Sequence, residues 1–515
     1  MRTENSIKNI VTNFLYNSLN YGLRFVSRII FVKTLAEVYL GVNGLLSNVL
    51  GILSLTELGI GTAIGYSLYE PLAKQDNEKV RSLMNLYKKA YRIISAAVLF
   101  LGLAILPFLP YLIKDNTGIE NLNIIYLIFL LNMVIGYLFS YKRTLIISDQ
   151  KKYKIMPLIM FFSIATTLLQ IIVLLIFRNY IIYLLVQSIC IVLENIFVNK
   201  YIDKQYSYLK SKKEIKEISK TELKTIKGKI GALLLHKIGS YTLSSTDNLI
   251  ISALVGIVSV GIYSNYSLIV GMVSSLIYVL TSNVISSIGN LIASEDEKKS
   301  LYVFDEMNLI CYILYGVSSV CMINLFNPFI ELFFGTKFLL TMPIVCVIVA
   351  NHYLTGMNNV VISVQSAAGL YENDKYIPLI QSVVNLVVSI YLGMNFGLIG
   401  IFIGTVVSTM LPLIIKPIIV YKNVFKIKAD IYFKDFFIQS TIIIVTTLLS
   451  YFSIQAFNIS NLYLRLVIGL FLSVIIPSLF IHFYYRNTDA YKNLRKRIVL
   501  IFNKFKQKKV EDNHE

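Results

Sequence analysis

The chain has 515 residues, of which 56% are hydrophobic and 15% charged. A soluble protein of this length could not keep so much apolar side chain off its surface, so a soluble class is excluded. The net charge of +19 does not indicate nucleic acid, because the charges collect in the short stretches between apolar runs and describe membrane topology.

Apolar stretches of at least ~18 residues recur almost end to end, the pattern of spanning helices. The expected fold is an all-α membrane protein of about 14 transmembrane helices. The first span covers Ile7–Thr34 and carries Asn13, Asn17, Asn20, Arg24 and Arg28. These residues step by three or four, so they share one helical face. Such a polar run is unlike the apolar core of a cleavable signal, and the segment is read as a retained helix. Spans follow near Tyr39–Tyr66, Met84–Ile113, Leu122–Ile147, Met156–Phe177 and Tyr180–Val198. A lysine-rich stretch leads into spans near Gly228–Leu254, Val258–Leu291, Val303–Phe334, Leu339–Ala367, Ile377–Phe396 and Leu398–Val420. Phe433–Phe457 and Leu462–Tyr485 complete the set.

With the N-terminus in the cytoplasm, all but eight of the 48 Lys and Arg lie in cytoplasmic segments. Lys33, Lys114, Arg178, Lys337 and Arg465 fall on the opposite side, and Arg24, Arg28 and Lys237 fall inside spans. This bias places both termini in the cytoplasm and requires an even number of spans. External loops are very short, which argues against an enzyme that assembles sugars outside the cell. Trp is absent, so Tyr supplies the interfacial aromatics. Cys190, Cys311, Cys321 and Cys346 all lie in apolar runs without CxxC spacing, and are expected to be buried thiols holding no metal.

An internal repeat appears at an offset of 220 residues. Tyr21 matches Tyr241, Ile30 matches Ile250, Gly41 matches Gly261, Gly51 matches Gly271 and Ser54 matches Ser274. Each match falls at the same point of the same topology. Six spans per half means both halves enter the membrane in the same sense, which implies a pseudo-two-fold axis along the membrane normal. The domains are then 1–199, a first six-helix bundle; 200–227, a cytoplasmic linker; 228–422, a second six-helix bundle; 423–485, helices 13 and 14; and 486–515, a basic cytoplasmic tail. In the tail, Tyr491, Leu494, Ile498, Ile501 and Phe505 line one helical face and Lys492, Arg495, Lys496 and Arg497 the other, a pattern for an anionic leaflet.

Ionisable groups within a bilayer cost roughly 2.5–3.5 kcal/mol each on insertion scales and need a reason. On the first span Arg24 and Arg28 sit one turn apart. On the seventh, Lys237, Tyr241, Ser244 and Asn248 form a stripe, with His236, Ser240 and Asp247 beside it. Glu57, Asp247 and Glu194 are the intramembrane acids. Two readings stay open: the cations and acids pair as bundle glue, or the cations line a cavity for an anion and an acid or His236 carries a coupling ion. Two arginines on one stripe exceed what one buried acid neutralises, and Arg grips phosphate oxygens bidentately. Asn265, Ser274, Ser275, Asn283, Ser286, Ser287 and Asn290 on the eighth span fit either close packing or a wall for sugar hydroxyls. No GxxxxGK[ST], HExxH or external DxD occurs, so neither an enzyme nor a cofactor is expected and gradient-driven transport is favoured.

Two six-span halves, two extra spans, Tyr39-Leu40-Gly41, and Asp247-Asn-Leu-Ile-Ile-Ser252 followed by Val260-Gly261-Ile-Tyr263 resemble the Wzx-type polysaccharide flippases. These belong to a superfamily that also holds multidrug and lipid II exporters, and the resemblance covers the whole chain. It implies translocation of undecaprenyl-diphosphate-linked oligosaccharide repeat units across a bacterial cytoplasmic membrane, by alternating access, for capsule, exopolysaccharide or O-antigen synthesis. It further implies substrate binding by Arg24, Arg28, Lys237, Asn17, Asn20, Tyr241 and Asn248, with Glu57, Asp247 and His236 in pairing or ion coupling. Membrane lipids, a polysaccharide polymerase and glycosyltransferases are the implied partners, and nucleic acid is not. A lipid II or teichoic-acid precursor flippase is the alternative, and a cation-coupled multidrug exporter the second.

Overall fold

The computed structural model describes residues 2–57, 59–113, 119, 121–211, 218–219, 223, 246–293 and 297–496. Regular structure among them is helical throughout. The principal helices are α1 (Arg2–Thr34), α2 (Glu37–Leu53), α3 (Ile60–Ala73), α4 (Asn77–Ile105), α5 (Leu122–Ser148), α6 (Met156–Ile176) and α7 (Tyr180–Gln205). After a described helical piece at 246–254 come α8 (Ile257–Ala293), α9 (Glu297–Phe334), α10 (Met342–Ala367), α11 (Ile377–Phe396), α12 (Leu398–Val420), α13 (Asp430–Ala456) and α14 (Leu462–Tyr485).

Twelve helices among the described residues are long and apolar enough to cross a membrane. The 33-residue α1 reaches far enough as well, at 1.5 Å per residue, and only its polar stripe lowers its hydropathy. With the span expected at 228–254, these make about fourteen. The chain is a multi-pass membrane protein.

The second span departs from the continuous helix expected over Tyr39–Tyr66. A 3₁₀ turn at Ser54–Glu57 interrupts it, Gly59 takes a left-handed φ of 73°, and α3 restarts at Ile60. The hydroxyls of Ser54 and Thr56 donate back to the carbonyls of Gly51 and Leu53, satisfying backbone that the break frees.

The chain forms two compact units. The first comprises Met1–Ser264 and Pro378–Ile401, the second Asn265–Ile377 and Phe402–Glu515. In the first, α1 packs on α6, α5 on α4 and α7, and α6 on α7. The closest approach is the crossing of α2 and α8. A Cβ built on Gly41 overlaps the carbonyl of Ile257, and one on Gly261 meets the Glu37 carbonyl oxygen at 3.0 Å and the Gly41 nitrogen at 3.1 Å. Residues 37 and 257, and 41 and 261, are equivalent under the 220-residue repeat. Equivalent residues therefore touch reciprocally, as they do at a local two-fold axis. Lipid offers no hydrophobic drive between helices, so this backbone approach, open only to small residues, is what joins them.

In the second unit α9 is central and packs on α10, α13 and α14. Asn324 on α9 donates to Ser450 at 2.8 Å and Ser473 at 2.9 Å, pinning both last helices. His352 bridges Ser274 and Ser318, each at 3.1 Å, and lies against the Tyr315 ring. Lys416, counted above with a cytoplasmic loop, instead sits in α12 at 8% exposure. Its ammonium bonds Asp374 at 2.7 Å and Gln365 at 3.1 Å. Cys190 and Cys311 are buried and Cys321 is half-buried, while Cys346 is exposed on α10, unlike the burial expected of all four. In the tail, Tyr491 docks its hydroxyl 2.9 Å from His482, and residues 497–515 lie outside the described set.

Candidate functional site

The polar stripe of α1 divides into two parts. Its N-terminal part is a structural pin. Asn9 donates to the Gln150 carbonyl at 2.8 Å and accepts the Tyr153 amide at 2.7 Å. Lys152 donates to Asn13 at 2.9 Å, and burial draws the Lys152 ammonium below its ordinary range. These bonds fasten α1 to the turn between α5 and α6. Higher on the stripe, Asn20 donates to the Tyr16 hydroxyl at 3.1 Å and Asn17 is half-buried.

Above that lie the two arginines. Arg24 is exposed. Arg28 donates to Ser264 at 3.1 Å, and Ser264 donates in turn to the Gly261 carbonyl at 2.7 Å, so Arg28 rests on the α2–α8 crossing. Among the described residues neither guanidinium forms an ion pair. Aromatic rings of α7 stand beside Arg28: Tyr180 and Tyr183 pack edge-on against Phe31, and Tyr39 leans on Tyr180. Tyr180 accepts from Asn43 at 3.1 Å.

Glu57 lies at the break of the second span and accepts the Tyr91 hydroxyl; Tyr91 accepts from Tyr87, which is 3.0 Å from Thr144. Gly61 leaves the room, since a Cβ there would stand 2.7 Å from the Tyr91 oxygen and 2.8 Å from that of Tyr87. Glu194 pairs with Arg143 at 2.8 Å, and the same guanidinium reaches Asn195 at 2.9 Å.

On the seventh span, Asp247 lies near enough to Tyr263 to interact with it electrostatically. Asn248 abuts Gly44 on α2, its amide nitrogen 3.6 Å from where a Cβ would stand, and its buried carbonyl oxygen has no partner among the described residues. His236, Lys237 and Tyr241 lie outside the described residues, as do Ser240 and Ser244. The first unit thus brings Arg24 and Arg28 together on one helix, with Arg28 and Asn248 set on either side of the same crossing.

Sequence reasoning missed Arg143, Ser264, Tyr180, Tyr183 and the Tyr87–Tyr91–Thr144 chain. Arg143 was counted as a loop cation because it lies five residues from the end of α5. Residue equivalence offered one signal, since position 264 is the repeat mate of Gly44 on α2.

A family model described as "Polysaccharide biosynthesis protein" matches residues 6–286. No curated protein matches the chain in sequence. Among solved structures, a lipid II flippase MurJ in an inward closed conformation matches at a TM-score of 0.68 and 15% identity, covering 93% of this chain and 98% of that one. An inward-facing multidrug resistance MATE family transporter of the MOP superfamily matches at 0.61 and 16%, covering 78% and 92%. The Vibrio cholerae MATE transporter VcmN matches at 0.56 and 12%, covering 82% and 100%. These identities establish fold alone. The chain belongs to the polysaccharide biosynthesis protein family and has the fold of the MurJ and MATE membrane transporters.

Proposed function

We propose that this chain is a flippase moving undecaprenyl-diphosphate-linked oligosaccharide repeat units across a bacterial cytoplasmic membrane, with both termini in the cytoplasm. The observation that carries this reading is Arg24 and Arg28, two cations on a membrane-length helix with no ion pair among the described residues. Such charges are costly where they are held, and they fit a ligand that arrives with its own negative charge. Arg presents a planar fork that matches phosphate oxygens, which suits a diphosphate. Lys237 joins them in this reading, with Asn17, Asn20, Tyr241 and Asn248 toward the glycan, and Glu57, Asp247 or His236 coupling an ion. The two halves of the repeat then alternate access to the two leaflets. An inside-negative potential favours outward movement of the anion by about 2.3 kcal/mol per charge per 100 mV.

The test is carried out in cells lacking this gene. Undecaprenyl-linked glycans are extracted and assigned to a leaflet, and the gene is restored with Arg24→Ala, Arg28→Ala or neither. A complete repeat unit held in the inner leaflet, relieved by the natural chain but by neither variant at equal membrane levels, is expected. Full export by both variants removes the arginines from the mechanism. Accumulated lipid II, or altered resistance to cationic drugs with no accumulated glycan, would transfer the substrate to the corresponding exporter class.

A further inference from the structure

The first unit holds a second basic site, separate from the α1 stripe. A cavity of about 250 Å³ opens between α4, α5, α7 and the turn that follows α7. Arg81, Lys88, Lys142 and Lys210 line it, with Asp203 and the Tyr141 ring. Among the described residues of its lining, four cations face one carboxylate. Lys142 and Lys210 each reach an Asp203 oxygen, at 2.6 Å and 3.8 Å. Arg81 is buried and donates to the Ser211 carbonyl at 2.9 Å, which fixes its guanidinium at the cavity wall. Lys88 is exposed, and the Lys210 side chain is 68% exposed.

The depth of this cavity narrows its ligand. The helical run Asn77–Leu112 is 36 residues long, about 54 Å at 1.5 Å per residue, against a hydrocarbon core of about 30 Å. Its charged N-terminal turns must therefore stand in the headgroup layer. Lys142 and Asp203 lie close to the ends of α5 and α7, at the same level. With the N-terminus in the cytoplasm, this is the face to which the positive-inside rule assigns most of the chain's lysine and arginine, and such a face meets anionic lipid.

We propose that this cavity binds a single phosphate-ester group at the level of the inner-leaflet headgroups. Arg81 supplies the fixed fork and Lys88 the second charge, while Lys210, the looser partner of Asp203, swings from the carboxylate to the ligand. Asp203 keeps the lysines in place when the cavity is empty and sets a limit on affinity. The site does not depend on the flippase reading, since none of its residues lies on the α1 stripe.

The full chain in detergent is titrated in two arms, one with phosphatidylglycerol against phosphatidylcholine and one with inorganic phosphate, while the unfolding temperature is followed. A ligand that binds the folded state raises that temperature saturably. Lys88→Gln/Lys210→Gln is expected to weaken the response at least tenfold, and both positions are exposed enough to leave folding intact. Lys422→Gln/Lys428→Gln removes the same charge from the second unit and should leave the response in place. A response to phosphatidylglycerol alone identifies a lipid headgroup as the source, and one to inorganic phosphate a soluble anion. No saturable response in either arm, full retention in the cavity variant, or equal loss in both variants overturns the proposal.

Discussion

Gly41→Ala places one methyl group where the structure has no room for it. The new Cβ overlaps the Ile257 carbonyl oxygen and stands 2.8 Å from its carbon, and both atoms are backbone. Carbon atoms settle at about 3.5–4.0 Å, so α2 and α8 must part by roughly 1 Å. Leu40, Val42, Leu45, Leu46, Ile257 and Val260 around the crossing are all buried at 2% exposure or less, and a gap of that width forfeits a quarter to a half of each contact. Overpacking of this kind costs about 1–3 kcal/mol, which predicts a fall of about 2–6 °C in the unfolding temperature of the purified chain. Because Arg28 rests on Ser264 at the same crossing, glycan export should fall with it. Gly136→Ala is the internal control. It lies inside α5 with nothing within 4 Å of the new Cβ, and should gain about 0.5–1 kcal/mol from helix propensity. Equal unfolding temperatures for the two variants would refute the close packing of α2 on α8 as a stabilising contact.

Two further outcomes concern the second unit. Lys416→Met leaves the Asp374 carboxylate, 2% exposed, buried beside no cation and should cost about 3–5 kcal/mol; Lys416→Met/Asp374→Leu should recover most of it in thermal unfolding. Asn324→Leu removes the bonds to Ser450 and Ser473, each worth about 0.6–1.7 kcal/mol in a membrane interior, and hydrogen exchange should quicken in α13 and α14 before it does in α10.

Most spans were legible because each is a long apolar run. The break at Gly59 was not legible. The polar residues Ser54, Thr56 and Glu57 are too few to end a long apolar run by hydropathy, which is blind to the backbone angle at Gly59 that precedes α3. Periodicity put Asn13, Arg24 and Arg28 on one face but could not show that the face changes partners along its length. Asn9 and Asn13 meet a turn some 140 residues away, and no local pattern encodes that. Lys416 and Arg143 were misplaced for another reason. A long cationic side chain near a helix end reads as a loop charge whether it reaches water or turns inward to an acid.

The repeat also supplies its own control for the role of Arg28. The mate of Arg28 is Asn248, and the mate of Ser264 is Gly44. Arg28 touches Ser264, and Asn248 lies against Gly44, so the two contacts are copies of one geometry. An uncharged amide fills the position on one side and a guanidinium on the other, while the glycines at the crossing are alike. Packing at the crossing therefore does not require a charge, because its own second copy does without one. What packing leaves unexplained is a cation retained at a cost of roughly 2.5–3.5 kcal/mol on insertion scales, one turn from a second cation. Arg28→Asn makes the two sides alike. It should preserve the free energy of unfolding to within about 1 kcal/mol while glycan export fails, and a variant that exports normally would return Arg28 to a packing role.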